Sequence, residues 1–422
     1  MADIRPFRAY RPVKEKTAEI ASLPYDVFSR EEARVYVAEH PGCFLAIDRP
    51  ETQFPPDADM YAPKVYQEAH DLLWKLIHEG TFVQEDVPCY YLYEQSFRGR
   101  TQCGIVAVAS IDDYENGVIK KHENTREEKE QDRIRHVDVC NAQTGPIFLC
   151  YRRNESLSAL IADIREEEPA VAFEGADGST NRVFVISDEM RIKTIQEAFA
   201  SMNAVYIADG HHRCASAVKV GLQRREMGKV QGELPSDHFL SVLFADNELE
   251  ILDYNRVVKD LNGLTPEEFL QALRKGFDVE PWNGEANCFA DVEGCPKPHA
   301  KGCISMYLGE KWYLLSAHPS IRSIDAVDGL DVSLLQKHVL TPILGIEDPR
   351  TDARIDFVGG IRGLKELERR CKEDAKVAFA MCPTLLQDLF RVADEGRLMP
   401  PKSTWFEPKL LSGLFIHTLE VL

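Results

Sequence analysis

Asp209, Gly210, His211, His212 and Arg213 follow one another without a break, five polar or glycine positions in a row. The apolar run Val205-Tyr-Ile-Ala precedes them, and Cys214-Ala-Ser-Ala-Val-Lys follows. That order reads as a strand, a tight turn and a helix N-terminus, with the polar groups at the turn. Open α/β sheets bind ligands at the carboxyl ends of their strands. Helix N-termini present free N–H groups and a positive dipole end, which suit phosphate. Gly210 lets the backbone approach a ligand, and Arg213 can hold phosphate oxygens through two parallel hydrogen bonds. Asp-Gly alone is a common turn, and a lone histidine there is often a surface residue. Five such positions in a row, between strand and helix, point to a phosphate site.

Lys120-Lys-His-Glu-Asn-Thr125 stands just before a charged helical stretch. Thr125 and Glu128 fit a capping box, and Arg126, Lys129, Asp132 and Arg133 are spaced for a solvated helical face. That accounts for the charge run but not for Lys121, His122 and Glu123 upstream of it. A carboxylate there can take a proton from a hydroxyl or hold Mg²⁺. Lys402, Ser403 and Thr404 pair a cation with hydroxyls, yet lack the glycine-rich loop of a Walker motif. Gly359-Gly360 can cradle phosphate or simply allow close strand–helix packing. Cys214, in an alanine-rich helix, reads as a core thiol rather than a nucleophile. Cys288, Cys295, His299 and Cys303 are the one metal-like cysteine cluster, without a C-x-x-C pair.

Ser29 with Glu32 predicts a capped helix, and a longer helix is expected over 61–79, ended by Gly80. Strands over 89–96 and 102–111 read as a hairpin turned at Arg98-Gly-Arg100. Strand 183–187, helix 189–201, strand 204–208 and helix 214–227 have the signature of a βαβ unit. Strands 238–245 and 249–257 read as a hairpin turned at Asn247. The last third alternates again, with a hairpin around Gly309-Glu310, strands at 355–358 and 377–381, and helices at 333–344, 361–370 and 385–393. The class is α/β (α+β) with a mixed sheet.

The chain has 422 residues, 44% of them hydrophobic and 28% charged, enough for two or three domains with ample core. A formal charge of −19 argues against a general nucleic-acid binder. No apolar run is long enough to span a membrane, and the first residues have no signal-peptide character. Eleven scattered cysteines read as reduced thiols, so a cytoplasmic location is expected.

Taken together, Arg5-Pro-Phe-Arg-Ala, Leu23-Pro-Tyr-Asp-Val, Lys121-His-Glu-Asn-Thr, Ala208-Asp-Gly-His-His-Arg and Met399-Pro-Pro-Lys-Ser-Thr-Trp-Phe-Glu-Pro-Lys resemble the bacterial and archaeal family known as domain of unknown function 1015. The resemblance covers nearly the whole chain. The Asp-Gly-His-His-Arg element is similar to the phosphate-binding turn of the ParB/sulfiredoxin superfamily, which implies a core of that type with additional α/β segments. Sulfiredoxins place a reactive cysteine before His-Arg, where this chain has His211. ParB proteins carry a Gly-Glu-Arg-Arg type box and a helix-turn-helix DNA-binding domain, and this chain has neither a matching box nor the basic charge that DNA binding requires. Free serine kinases carry Asp-Gly-His-x-Arg, which Asp209, Gly210, His211 and Arg213 match. They also use an upstream glutamate as general base, a role this resemblance gives to Glu123.

The resulting expectation is a phosphotransferase moving a phosphoryl group from a nucleotide to a small hydroxylated metabolite, with free serine the first guess. The alternatives are a nucleotide-binding switch without kinase chemistry and a nucleotide hydrolase or phosphatase. Glu123, Asp209 and His211 form the expected catalytic set. Gly210, His212, Arg213, Lys121, His122, Lys402, Ser403 and Thr404 would hold the nucleotide and its phosphates. Asp209 would also ligate Mg²⁺, and ATP or ADP would be the donor. The expected division is a nucleotide-binding region over 1–262 and a C-terminal α/β region over 263–422 that contributes the Lys-Ser-Thr segment. No nucleic-acid or membrane partner is expected.

Overall fold

Residues 102–110, 147–151 and 238–245 are buried at every position. A strand covered on both faces shows such unbroken runs, because neither face has to be polar. These segments form the middle of a mixed sheet in a computed structural model, which describes residues 1–228, 232–284, 289–291 and 293–420. Among the described residues the sheet has nine strands: β1 (Ile4–Arg5), β2 (Tyr90–Phe97), β3 (Arg100–Ser110), β4 (Ile119–Lys120), β5 (Ile147–Tyr151), β6 (Val171–Glu174), β7 (Thr180–Ile186), β8 (Val205–Asp209) and β9 (His238–Ala245). Their order is β4-β8-β5-β9-β3-β2-β7-β6, with β1 alongside β3. The pairs β4–β8 and β5–β9 are parallel, and the other pairs are antiparallel.

The β2–β3 hairpin turns at Arg98 and Gly99, whose φ values of 51° and 79° are the left-handed pair that a two-residue turn requires. Ser29 caps a helix at Arg30–Glu39 with the full box to Glu32, and a second helix runs Pro63–His78. Strand β7, the helix Glu189–Ala200 and strand β8 form the expected crossover, although four strands lie between β7 and β8 in the sheet. We label two further helices α1 (Glu127–Cys140) and α2 (His211–Glu226); they pack against each other.

The contacts divide the chain into two units, one comprising Met1–Leu249 with Pro408–Leu422, the other Glu250–Glu407. The expected cut at 262/263 therefore differs from the observed division. The expected hairpin over 238–257 does not form either. Residues 246–248 make a short helical turn, and the next long strand, β10 (Tyr254–Val258), pairs inside the second unit instead. Two apolar runs around a turn look like a hairpin, but partner choice is set by the rest of the sheet. Among the described residues the second unit holds a six-stranded antiparallel sheet with β10 beside its edge strand Ile355–Gly359. No described helix is long and apolar enough to cross a membrane.

Candidate functional site

Strand β8 ends at Asp209, and Gly210 follows with φ 87°, a left-handed conformation that glycine adopts without strain. A Cβ at Gly210 would stand 3.2 Å from Arg213 Nε, so the small residue also leaves room for the guanidinium. Helix α2 starts at His211, three residues earlier than the sequence pattern suggested. His211, His212 and Arg213 are therefore its first turn, and no side chain caps it. Early helical N–H groups without a side-chain cap are the anion-binding feature of such a terminus.

The neighbouring strand completes the site. Strand β4 is only Ile119–Lys120, yet it runs parallel to β8, with Ile119 opposite Val205 and Lys120 opposite Tyr206. Parallel neighbours end at the same edge, so Lys121, His122 and Glu123 leave the sheet beside Asp209 and His211. The His122 amide donates to His211 Nε2 at 3.5 Å, and the two rings meet edge-on with centroids 4.5 Å apart. One ligand atom from each of His122, Glu123 and His211 lies within 4.8 Å of the others. Lys121 points its ammonium over the Tyr114 ring at 5.6 Å.

The charges here are strongly biased. Burial opposes ionisation of Asp209, but the Lys409 ammonium and the Arg213 guanidinium outweigh it and hold the carboxyl well below its usual range. Lys409 Nζ donates to Asp209 Oδ2 at 2.9 Å, while the Gly210 amide donates to Oδ1 at 2.8 Å. With both oxygens engaged, Asp209 does not offer the bare carboxylate expected of a Mg²⁺ ligand. Burial pushes His122 and His212 down to about 4, and pushes His211 well below its ordinary value with help from His122, so all three rings are neutral at pH 7.

Arg213 faces a narrow cleft of about 30 Å³ that Tyr25, Asp48, Arg133, Thr144 and Ser412 also line. One arm of Arg213 donates to the Pro146 carbonyl at 2.7 Å, and its Nε is enclosed with no hydrogen-bond partner among the described residues. Arg133 stacks 4.2 Å from the centre of the Tyr25 ring, and Thr144 donates to Asp48 at 2.8 Å. Two arginines on one cleft, one with an unsatisfied donor, suit a phosphate-bearing ligand.

Three residues here escaped the sequence reading. Lys409 closes the motif that begins at Met399, but Lys402 drew attention as the lysine among hydroxyls. Tyr25 sits in Leu23-Pro-Tyr-Asp-Val, noted only as a family marker. Arg133 gave no signal, because its spacing with charged neighbours imitates a solvated face; it is 7% exposed. The Thr125–Glu128 capping box is also absent. Helix α1 begins at Glu127 with Arg126 as cap, and the Thr125 hydroxyl donates to Glu130 at 2.6 Å instead.

Lys402, Ser403 and Thr404 fall in the second unit, and the bonds described for Lys402 and Ser403 serve its fold. The Lys402 carbonyl accepts from Arg256, its ammonium lies over the Tyr254 ring, and Ser403 donates to the Pro400 carbonyl. At Gly359 and Gly360 an added Cβ would strike the Trp405 ring and the Asp253 carboxylate, so close packing explains both glycines. Cys214 is fully buried, and burial pushes its thiol up, as a core residue requires. Of the cysteine cluster, Cys288 lies outside the described residues, and Cys295 donates to Glu368 at 3.3 Å.

The chain belongs to the family described as protein of unknown function (DUF1015), whose model matches residues 4–333. No curated protein matches it. Among solved structures it is similar to a free serine kinase in complex with AMP, at 14% identity and a TM-score of 0.35, covering 72% of this chain and 86% of that one. A free serine kinase mutant in complex with ADP gives 13% identity and a TM-score of 0.34, over 73% and 88% of the two chains. SbnI with C-terminal truncation from Staphylococcus aureus gives 12% and 0.38, over 72% and 85%.

Proposed function

We propose that this protein is a nucleotide-dependent phosphotransferase acting on a hydroxyl of a small metabolite, with free serine the first acceptor to test. In this reading the first unit is a ParB/sulfiredoxin-like core. One observation carries it: residues 121–123 and 209–213 leave the same edge of two parallel strands, beside an uncapped helix N-terminus and a cleft lined by two arginines.

The amides at the start of α2, Arg213 and His212 bind the phosphates, and His122 and Lys121 border them. Asp209, fixed by Lys409 and the Gly210 amide, keeps Arg213 oriented. Glu123 takes the proton from the acceptor hydroxyl, and His211, neutral and close to it, positions that carboxylate. Lys409, rather than Lys402, is the lysine of the Met399–Lys409 motif that stands at this site, paired with Asp209. Mg²⁺ carried in with ATP or ADP would supply charge neutralisation, and Asp209, already held by Lys409 and the Gly210 amide, would not be its ligand. Catalysis of this kind is positioning and electrostatics for the most part.

The test is a thermal-shift panel of ATP, ADP, CTP and inorganic phosphate, each with Mg²⁺, on wild type and Arg213→Ala. A nucleotide should raise the midpoint of wild type alone, and turnover should then depend on acceptor and fall at least about 100-fold in Glu123→Gln. Phosphate release without acceptor would make the protein a hydrolase. A nucleotide shift with no turnover would make it a switch. Turnover unchanged when Arg213 and Glu123 are both alanine sinks the reading.

A further inference from the structure

His122, Glu123 and His211 are, among the described residues, the one group of three His, Cys, Asp or Glu side chains close enough to share an ion. Two come from the loop leaving β4 and the third from the first turn of α2, so the parallel strand pair assembles them. We propose that this cluster is a binding site for a divalent transition metal such as Zn²⁺, Co²⁺ or Mn²⁺, separate from any Mg²⁺ that accompanies a nucleotide.

The donor set selects the metal. Mg²⁺ wants oxygen ligands in near-ideal octahedral geometry and keeps its waters. Two imidazoles with one carboxylate instead suit the borderline metals. Three protein ligands leave coordination positions open, as in catalytic rather than structural sites.

A second observation points to a ligand. His122 is 1% exposed, yet neither ring nitrogen has a hydrogen-bond partner of ordinary geometry among the described residues; the Ile207 backbone exerts only a weaker pull. Buried imidazoles normally satisfy at least one nitrogen, so a buried ring with no bond better than that weak one marks a missing partner. The bond accepted by His211 Nε2 is 3.5 Å long, at the limit for a hydrogen bond, so an ion displaces little there. A carboxylate can ligate through one oxygen, which leaves the other oxygen of Glu123 for a proton. The site stands on these three side chains whether or not the protein transfers phosphoryl groups.

The experiment is a Co²⁺ titration of the metal-stripped full chain, in millimolar Mg²⁺ and without nucleotide, read by the visible d–d absorption of bound cobalt. Wild type should take up one equivalent that Zn²⁺ displaces and Mg²⁺ does not. His122→Asn and His211→Asn should weaken binding by on the order of 100-fold or more, while Arg213→Ala should bind Co²⁺ normally. No saturable uptake by wild type, or equal affinity in both histidine variants, overturns the site. Should the variants misfold, spin-echo spectra of Cu²⁺-loaded wild type decide: coupling to two imidazoles supports the site, and coupling to none or one refutes it. Nucleotide binding is scored separately by the loss in Arg213→Ala, so a failed metal site and a failed phosphotransfer reading give different results.

Discussion

Lys409 and Asp209 are separated by 200 residues in sequence and by 2.9 Å in space. The pair is mostly shielded, with side chains 13% and 32% exposed, so it is worth more than a surface ion pair. Removing the ammonium leaves the carboxylate with only its own turn amide and Arg213. Lys409→Met should therefore cost about 1–3 kcal/mol in chemical denaturation and weaken the nucleotide-induced thermal shift, with Lys409→Arg restoring much of both. Asp209 would then protonate at a higher pH, since the neighbour that most depresses its pKa is gone.

At the scale of elements, the junction of β8 and α2 turns on one residue. Gly210→Ala adds a Cβ where φ is 87° and where Arg213 lies 3.2 Å away. Both effects act together, so we expect a loss of about 1–2 kcal/mol and a larger proportional loss of nucleotide affinity, measured by denaturation and calorimetry. This junction was legible from sequence because an apolar run, a glycine and a helical pattern follow one another locally. So were the β2–β3 hairpin at Arg98-Gly99 and the capping box of Ser29. Strand β4 was not, since two residues carry no periodicity, yet its parallel pairing brings Glu123 to His211. Arg133 was misread for a related reason: helical spacing tells which residues share a face, not what covers that face. Lys409 and Tyr25 were visible only as motif members, because their place depends on contacts that no local pattern encodes.

For the whole molecule, the two units should respond oppositely to pH. His417, in the first unit, is pushed by burial from 6.5 down to about 4. Its unfolded form binds a proton first, so its contribution is complete above about pH 6.5 and is lost as pH falls towards 4, up to about 3 kcal/mol. Asp331, in the second unit, is pushed by burial from 3.8 up to about 6. Its folded form holds the proton longer, so that unit loses stability as pH rises from about 4 through 6. Calorimetry between pH 7 and pH 4.5 should show the first unit's transition falling and the second unit's rising, with His417→Gln and Asp331→Asn each flattening its own trend.

The return of residues 408–422 to the first unit has a larger effect than any titration. Leu410, Leu411, Leu414, Phe415, Ile416 and Leu419 are each at most 3% exposed there. Tyr10 and Ser22 bridge to Ile416 and Ser412, and His417 pairs with Gln143. Burying side chains of this size contributes roughly 1.5–3 kcal/mol each, against a total stability of about 5–15 kcal/mol for a domain. A chain stopped after Glu407 should fail to fold its first unit, seen as rapid proteolysis of residues 1–249 while the second unit resists.

Proteins emerge from the ribosome N-terminus first, and their domains tend to fold in that order. Here the sheet, the Asp-Gly-His-His-Arg turn and the metal-ligand cluster are all synthesised before the lysine that balances Asp209. A polypeptide that stops short of Lys409 thus lacks both the ammonium that pairs with Asp209 and the buried segment that completes the first unit. Completion of the Asp209 ion pair therefore waits on the last stretch of chain to be made, some 200 residues after the turn it serves.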